Sequence, residues 1–335
     1  MPSENSNPPF GTGAIPSPLD PRTVKHEEVV AMAALPLVKG GIPYTQADIE
    51  HQHKVGICTA ISLTQNRGKA NGKKYSPDFQ YLMQKKLYDI NAPIGWDEGS
   101  SIFHALKVGK AVGFLESKHW THTTEADRFL PYAKYIAKLR AIPEIEVNRL
   151  KALCVDKIQG YAEVNISNDQ NIAKAIDDSE AGILCMYGCS DSWWSPSWSA
   201  SDINPLRKKT FTSYHAIIMN LFDYSTAKMQ RLSNSWGAEW CDKGCADINY
   251  STYRMIEAWT VLPFPPVIEP YKFNKNLWFG KKDPDNIELQ RRLGVFPTDE
   301  NFGPKTFAAV IKYQWDHGII TTGFCGPITR ASLNA

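Results

Sequence analysis

Residues 52–65 read QHKVGICTAISLTQ, and one cysteine sits where a helix should begin. Gly56 lets the backbone pass closely into that helix, and Cys58 takes its first turn. A thiol there faces the positive end of the helix dipole, which favours the nucleophilic thiolate. Gln52 lies six residues earlier. Its side-chain amide and the Cys58 backbone N–H are two donors that could hold the oxyanion of a tetrahedral acyl intermediate. Taken alone, a cysteine at a helix start is more often a structural residue than a nucleophile.

A base must come from elsewhere in the chain. His215 opens the apolar run HAIIMNL, which reads as a strand. Nineteen residues later NSWG, residues 234–237, closes the next strand. The Asn234 carbonyl, accepting from one imidazole nitrogen, fixes the tautomer and leaves the other nitrogen for the thiol. Trp236 is placed to cover that bond. Either residue alone is better explained by packing; the combination is what points to chemistry.

The order Gln52, Cys58, His215, Asn234, with NSWGAEW (234–240) followed by Gly244, resembles the papain-like (C1) cysteine peptidases over roughly residues 45–262. TAISLT after Cys58 and YSPDFQYLMQ (75–84) resemble the bacterial and viral branch. The resemblance implies an α+β, two-lobed fold: a helical lobe carrying Cys58, and a β-barrel-like lobe carrying His215 and Asn234. It implies Cys58, His215 and Asn234 as catalytic residues, Gln52 as oxyanion donor, and peptide hydrolysis through an acyl-enzyme. Gly99, in DEGSS, falls where the family pairs glycine backbone with an extended substrate, and Trp236 borders the same cleft. Neither cofactor nor metal is implied. Three positions depart from the family: Val55 stands at a frequent cysteine, Thr59 at the usual tryptophan, and Ile57 at a small residue. The stretch before Cys58 is too short for the long helical propeptide of the animal and plant enzymes.

The chain has 335 residues, and 37 Lys plus Arg against 35 Asp plus Glu give a net charge of +2. That balance supports neither nucleic-acid binding by bulk charge nor a polybasic membrane surface. At 43% hydrophobic and 21% charged residues the composition is globular. No run of 18 apolar residues appears, so no spanning helix is expected. Seven cysteines leave at least one thiol unpaired within the chain. CMYGC (185–189) and CDKGC (241–245) are open to zinc, to disulfides, or to service as small buried hydrophobes, the reading that leads; Cys154 and Cys325 read as structural.

Residues 1–44 read as an extended arm, with an inhibitory pro-segment as the functional alternative. They lack the charged and apolar regions of a secretory signal. The expected compartment is therefore the cytoplasm at synthesis, with action at a virion or cell wall left open. SDSWWSPSWSAS (190–201) reads either as a lip of the cleft or as tryptophan packing on the strand lobe.

Ser76-Pro77-Asp78 reads as a helix start, as does Ser100 or Ser101. Helix continues over 125–153 with Pro143 interrupting, and strands follow at 181–188, 215–224 and 228–236. No internal repeat is evident. Pro263, Pro265, Pro266 and Pro270 make residues 263–281 a semi-rigid linker. Beyond it, residues 282–335 predict three short helices: Ile287–Leu293, Lys305–Trp315 and Ile328–Leu333. Leu289-Gln290, Phe302-Gly303, Thr306, Tyr313-Gln314, Gly326 and Thr329 resemble the peptidoglycan-binding type 1 module. That implies a small helical domain directed at cell-wall glycan or stem peptides. The expected function is a cysteine endopeptidase acting on protein or peptide, with a wall-targeting module. The alternatives are a lysin cutting peptidoglycan stem peptides and a catalytically idle structural or virion-associated protein.

Overall fold

The structure is a computed structural model that describes residues 13–18, 20, 23–29, 36–92, 94–189, 213–226, 228–249, 255–262, 271–295 and 298–335. The tryptophan-rich loop from residue 190 and the prolines at 263–270 lie outside them. The chain divides into two compact units, one built mainly from residues 24–266 and the other from 267–335.

The first unit is α+β. A short α1 (His26–Val29) and strand β1 (Lys39–Gly41) lead to the helices α2 (Cys58–Asn71), α3 (Pro77–Leu87), α4 (Ile102–Ala111), α5 (Tyr132–Arg140) and α6 (Glu144–Ala152). The predicted starts hold. Ser76 accepts from the Phe79 N–H with Pro77 at the first helical position, and Ser101 accepts from the His104 N–H. Pro143 separates α5 from α6 by capping the latter. The remaining elements are β2 (Gly160–Glu163), α7 (Asp169–Asp178), β3 (Ile183–Cys189), β4 (Ser213–Asp223), β5 (Met229–Ser233), β6 (Cys245–Asn249) and β7 (Glu257–Leu262). They form an antiparallel sheet in the order β2-β7-β3-β4-β5-β6, with β1 also on β4. The short β1, β2, β6 and β7 and the helix α7 escape the sequence reading. Each strand is three to six residues long, too few to show a period against neighbouring loops.

Strand β4 reads as an unbroken apolar run because both its faces are covered. Ile217 and Met219 pack with Ile172, Ile176, Leu232 and Trp240. Ala216 and Ile218 point the other way, into a cluster holding Cys58, Leu63 and Phe103. Helix α2 is equally enclosed: every residue from Cys58 to Arg67 is buried. Its Ala60 and Ile61 join Phe79, Leu82, Val108, Tyr135 and Leu139 in the helical lobe. The polar residues on its other side are bonded to the strand lobe. Ser62 Oγ donates to the Ala216 carbonyl at 2.9 Å, and Asn66 Nδ2 to the Ala181 and Gly182 carbonyls at 3.0 and 2.9 Å.

The second unit contains α8 (Asp285–Arg292), α9 (Pro304–Asp316) and α10 (Pro327–Leu333), close to the three predicted helices. Phe273, Leu277, Leu289, Phe302, Val310, Cys325 and Leu333 form its core. Phe273 and Leu277 come from the stretch read as linker, and Leu277 pairs with Cys325 as a bridge. Gly303-Pro304 and Gly326-Pro327, each ahead of a threonine, read in the sequence as two similar helix starts, and a buried glutamine serves each in the same way. Gln290 donates to Thr306 Oγ1 and accepts from the Asp299 N–H. Gln314 donates to Thr329 Oγ1 and accepts from the Thr322 and Gly323 N–H groups, all at 2.9 Å. Each glutamine thus closes the loop that enters the next Gly-Pro-x-Thr helix.

Gln314→Leu strands two N–H groups in that small core. The unfolding transition of the C-terminal unit should lose about 1–3 kcal/mol, read by calorimetry on the whole chain. The exposed Lys312→Ala should stay within about 0.5 kcal/mol.

Candidate active site

Cys58 is the first residue of α2, entered from Ile57 in a non-helical conformation. Its side chain is fully buried. The Ala216 N–H, from β4, points at the sulfur at 3.5 Å. The N–H groups of Gly13, Thr59 and Cys58 itself also favour the thiolate, but burial outweighs all four and pushes the thiol up to about 11. Burial thus opposes the ionised form that the helix start favours: a helix terminus acts at short range, and loss of water around the sulfur costs the charged form more.

One residue before Ala216, the His215 ring is also fully buried. Its Nε2 lies 2.7 Å from Asn234 Oδ1. Asn234 Oδ1 also accepts from the Ser235 N–H at 2.7 Å, so the amide oxygen faces the ring, Nε2 carries the proton and Nδ1 holds the lone pair. Nδ1 has no hydrogen-bond partner among the described residues. Trp236 stacks on the imidazole with centroids 4.5 Å apart. Burial lowers the ring's pKa to about 4, against a smaller opposing effect of Asn234.

Gln52, also fully buried, joins the same region through β5's extension. Its N–H donates to the Ser235 carbonyl at 2.8 Å. Its Oε1 accepts from Ser235 Oγ at 2.6 Å, and its Nε2 donates to the Val55 carbonyl at 3.2 Å, inside the turn that leads to Cys58. The four residues singled out from the sequence, Gln52, Cys58, His215 and Asn234, are thus brought together between helical and strand lobes.

Gly99 has φ +97°, a conformation natural to glycine. Its N–H donates to Tyr81 Oη at 3.0 Å, and Lys85 Nζ donates to its carbonyl. A Cβ at Gly99 would come within 2.4 Å of the Gly13 carbonyl oxygen. The reason is that residues 13–17, GAIPS, run alongside it. The Ser100 N–H donates to the Gly13 carbonyl at 2.8 Å, the Ile15 N–H to the Ser100 carbonyl at 2.9 Å, and the Ala14 N–H to the Tyr214 carbonyl at 3.3 Å. The Ser17 N–H and Oγ bond the two carboxylate oxygens of Glu257 at 3.1 and 2.8 Å. The arm therefore covers Cys58, Gly99 and Glu257 together.

Sequence reading missed Ser235, Glu257 and the place of residues 13–17. Small residues flanked by prolines were the available signal for a segment fitting a narrow cleft. No sequence motif marks Glu257, which sits on the short β7.

The fold is that of papain-like cysteine proteases. Xylellain, a cysteine protease from Xylella fastidiosa, is similar with 19% identity, a TM-score of 0.59, and coverage of 77% of this chain and 98% of its own. Digestive procathepsin L2 proteinase from Tenebrio molitor larval midgut is similar with 16% identity, TM-score 0.52 and coverage of 75% and 78%. Digestive procathepsin L 3 of the same source gives 13%, 0.51, 76% and 76%. Residues 283–333 match the family model described as "Putative peptidoglycan binding domain". No curated protein sequence matches the chain.

In the intact chain, carbamidomethylation of Cys58 by iodoacetamide, followed by peptide mapping, should be slow at pH 7 and still rising above pH 9. A plateau below pH 8 would show an already ionised thiol.

Proposed function

We propose that the first unit is a cysteine peptidase held latent by its own residues 13–17. The observation that carries this reading is the His215–Asn234 bond, which leaves Nδ1 with the ring's free lone pair on the residue next to Ala216, whose N–H reaches the Cys58 sulfur. When the arm leaves, water enters, and the desolvation that keeps both groups neutral falls. Nδ1 then takes the Cys58 proton. The thiolate attacks the scissile carbonyl carbon, forming a C–S bond, while the Gln52 amide and the Cys58 N–H hold the oxyanion. The imidazolium protonates the leaving amine as the C–N bond breaks. His215 next deprotonates a water that attacks the thioester, releasing the carboxylate and restoring the thiol. The substrate is a peptide in extended form, bound by the backbone groups of Ser100 and Tyr214 that the arm now occupies.

A full-length test follows from Gly13. A Cβ there would lie 2.2 Å from the Gly56 carbonyl oxygen, so Gly13→Val must lift the arm. Casein hydrolysis by Gly13→Val should exceed that of the unaltered chain at least tenfold, and Cys58→Ala in the same background should abolish it. Persistent activity in Cys58→Ala overturns the catalytic reading; equal activity of Gly13→Val and the unaltered chain overturns latency.

The C-terminal match favours one narrower substrate class, the stem peptides of peptidoglycan. Insoluble cell walls should retain the chain and be cleaved by Gly13→Val. Retention without cleavage leaves protein as the substrate, and no retention removes wall targeting.

A further inference from the structure

Gln52 lies between two histidines, and its turn is built in an unusual way. His53 has φ +52°, a left-handed conformation disfavoured for a non-glycine residue. Something must hold it there. The His53 N–H donates to His51 Nδ1 at 2.9 Å, closing an i to i+2 turn in the manner of an asparagine side chain. Only a neutral ring with its lone pair on Nδ1 can accept that bond. Burial, with His53 and Arg128 adding to it and Glu125 opposing, lowers the His51 pKa to about 4.

The surroundings lock the His51 ring in place. It stacks on His53 with centroids 3.6 Å apart. On another side it lies against Gly237, where a Cβ would come within 2.5 Å of His51 Cδ2. His53 is fixed in turn by Glu125 at 2.7 Å and by the Phe129 ring at 3.8 Å. The His51 carbonyl accepts from Arg128 Nη1 at 2.8 Å, and Arg128 is itself buried against Asp78 at 2.8 Å. His51 also bridges Trp236 across the backbone. The main chain is therefore anchored up to residue 52 and again at Lys54, whose N–H donates to the Arg128 carbonyl at 3.0 Å; between these points the bond to Nδ1 holds the His53 N–H.

We infer that His51 is a positioning residue for the oxyanion donor: its Nδ1 holds the His53 N–H, and that turn, together with the Gln52 Nε2 bond to the Val55 carbonyl, keeps the Gln52 amide beside the turn that enters α2. Neither residue touches substrate. The inference rests on the peptidase reading above, because it gives Gln52 its task. Acting on the oxyanion alone, the turn governs the chemical step and not the binding of the peptide ground state.

The test uses the full chain carrying Gly13→Val, with a fluorogenic peptide at pH 7. His51→Ala removes the acceptor and should lower kcat about tenfold or more, bounded by the roughly 10²–10³ lost with a whole oxyanion donor, while KM stays within about twofold. His51→Asn restores an acceptor of the right reach and should return kcat to within about threefold of the parent. Thermal melting confirms that both variants are folded. Asn failing to outperform Ala, or both matching the parent, overturns the inference; so does a rise in KM with kcat unchanged. Cys58→Ala run alongside separates the two levels. If it is inactive while the His51 series is flat, only the positioning role falls. If it remains active, the peptidase reading falls first.

Discussion

One residue of β4, Ala216, bonds to two residues of α2 through its main chain. Its N–H points at the Cys58 sulfur and the Ala216 carbonyl accepts from Ser62 Oγ. Both partners stand on one face of α2, one helical turn apart. Because His215 precedes Ala216 on β4, these contacts fix the distance between strand and helix beside the two candidate catalytic residues. They also explain a polar seam on a helix buried from Cys58 to Arg67. Serine and asparagine there are not leftover surface; they are the bonds by which the helix reads the sheet's main chain.

Burial then decides the state of the pair. Helix dipole and four N–H donors act to ionise the sulfur, while enclosure by apolar neighbours and by residues 13–17 acts the other way and wins. The same enclosure keeps the imidazole neutral. On the latency proposed above, the arm would restrain the site twice, by covering it and by drying it. These are separable effects, since a short peptide could cover a cleft without excluding all water.

Much of this was legible in the sequence. The QHKVGIC and NSWG stretches carry residue types and spacings that name their own chemistry, and the His215–Asn234 bond is the one the sequence led us to expect. The helix starts at Ser76 and Ser101 were legible because capping is local chemistry. What was not legible depends on long-range approach. The pairing of residues 13–17 with Ser100, Tyr214 and Glu257 spans up to 240 positions. Short strands such as β6 and β7 are defined by the neighbours they bond to, not by any period of their own. The buried glutamines of the C-terminal unit look like surface residues until the loops they close are seen.

The cleft floor at Gly99 rests on an unusual support. Lys85, on α3, is fully enclosed, and its charge is met by Asp89 at 3.2 Å and by the carbonyls of Gly99 and Asp97. Tyr81 holds the same glycine from the other side. Ordering this backbone is a cost met once, during folding. Residues 13–15 pair with main-chain groups already in position. Pairing of that kind depends on backbone and not on side-chain identity, whereas Ser17 meets the Glu257 carboxylate through its own hydroxyl.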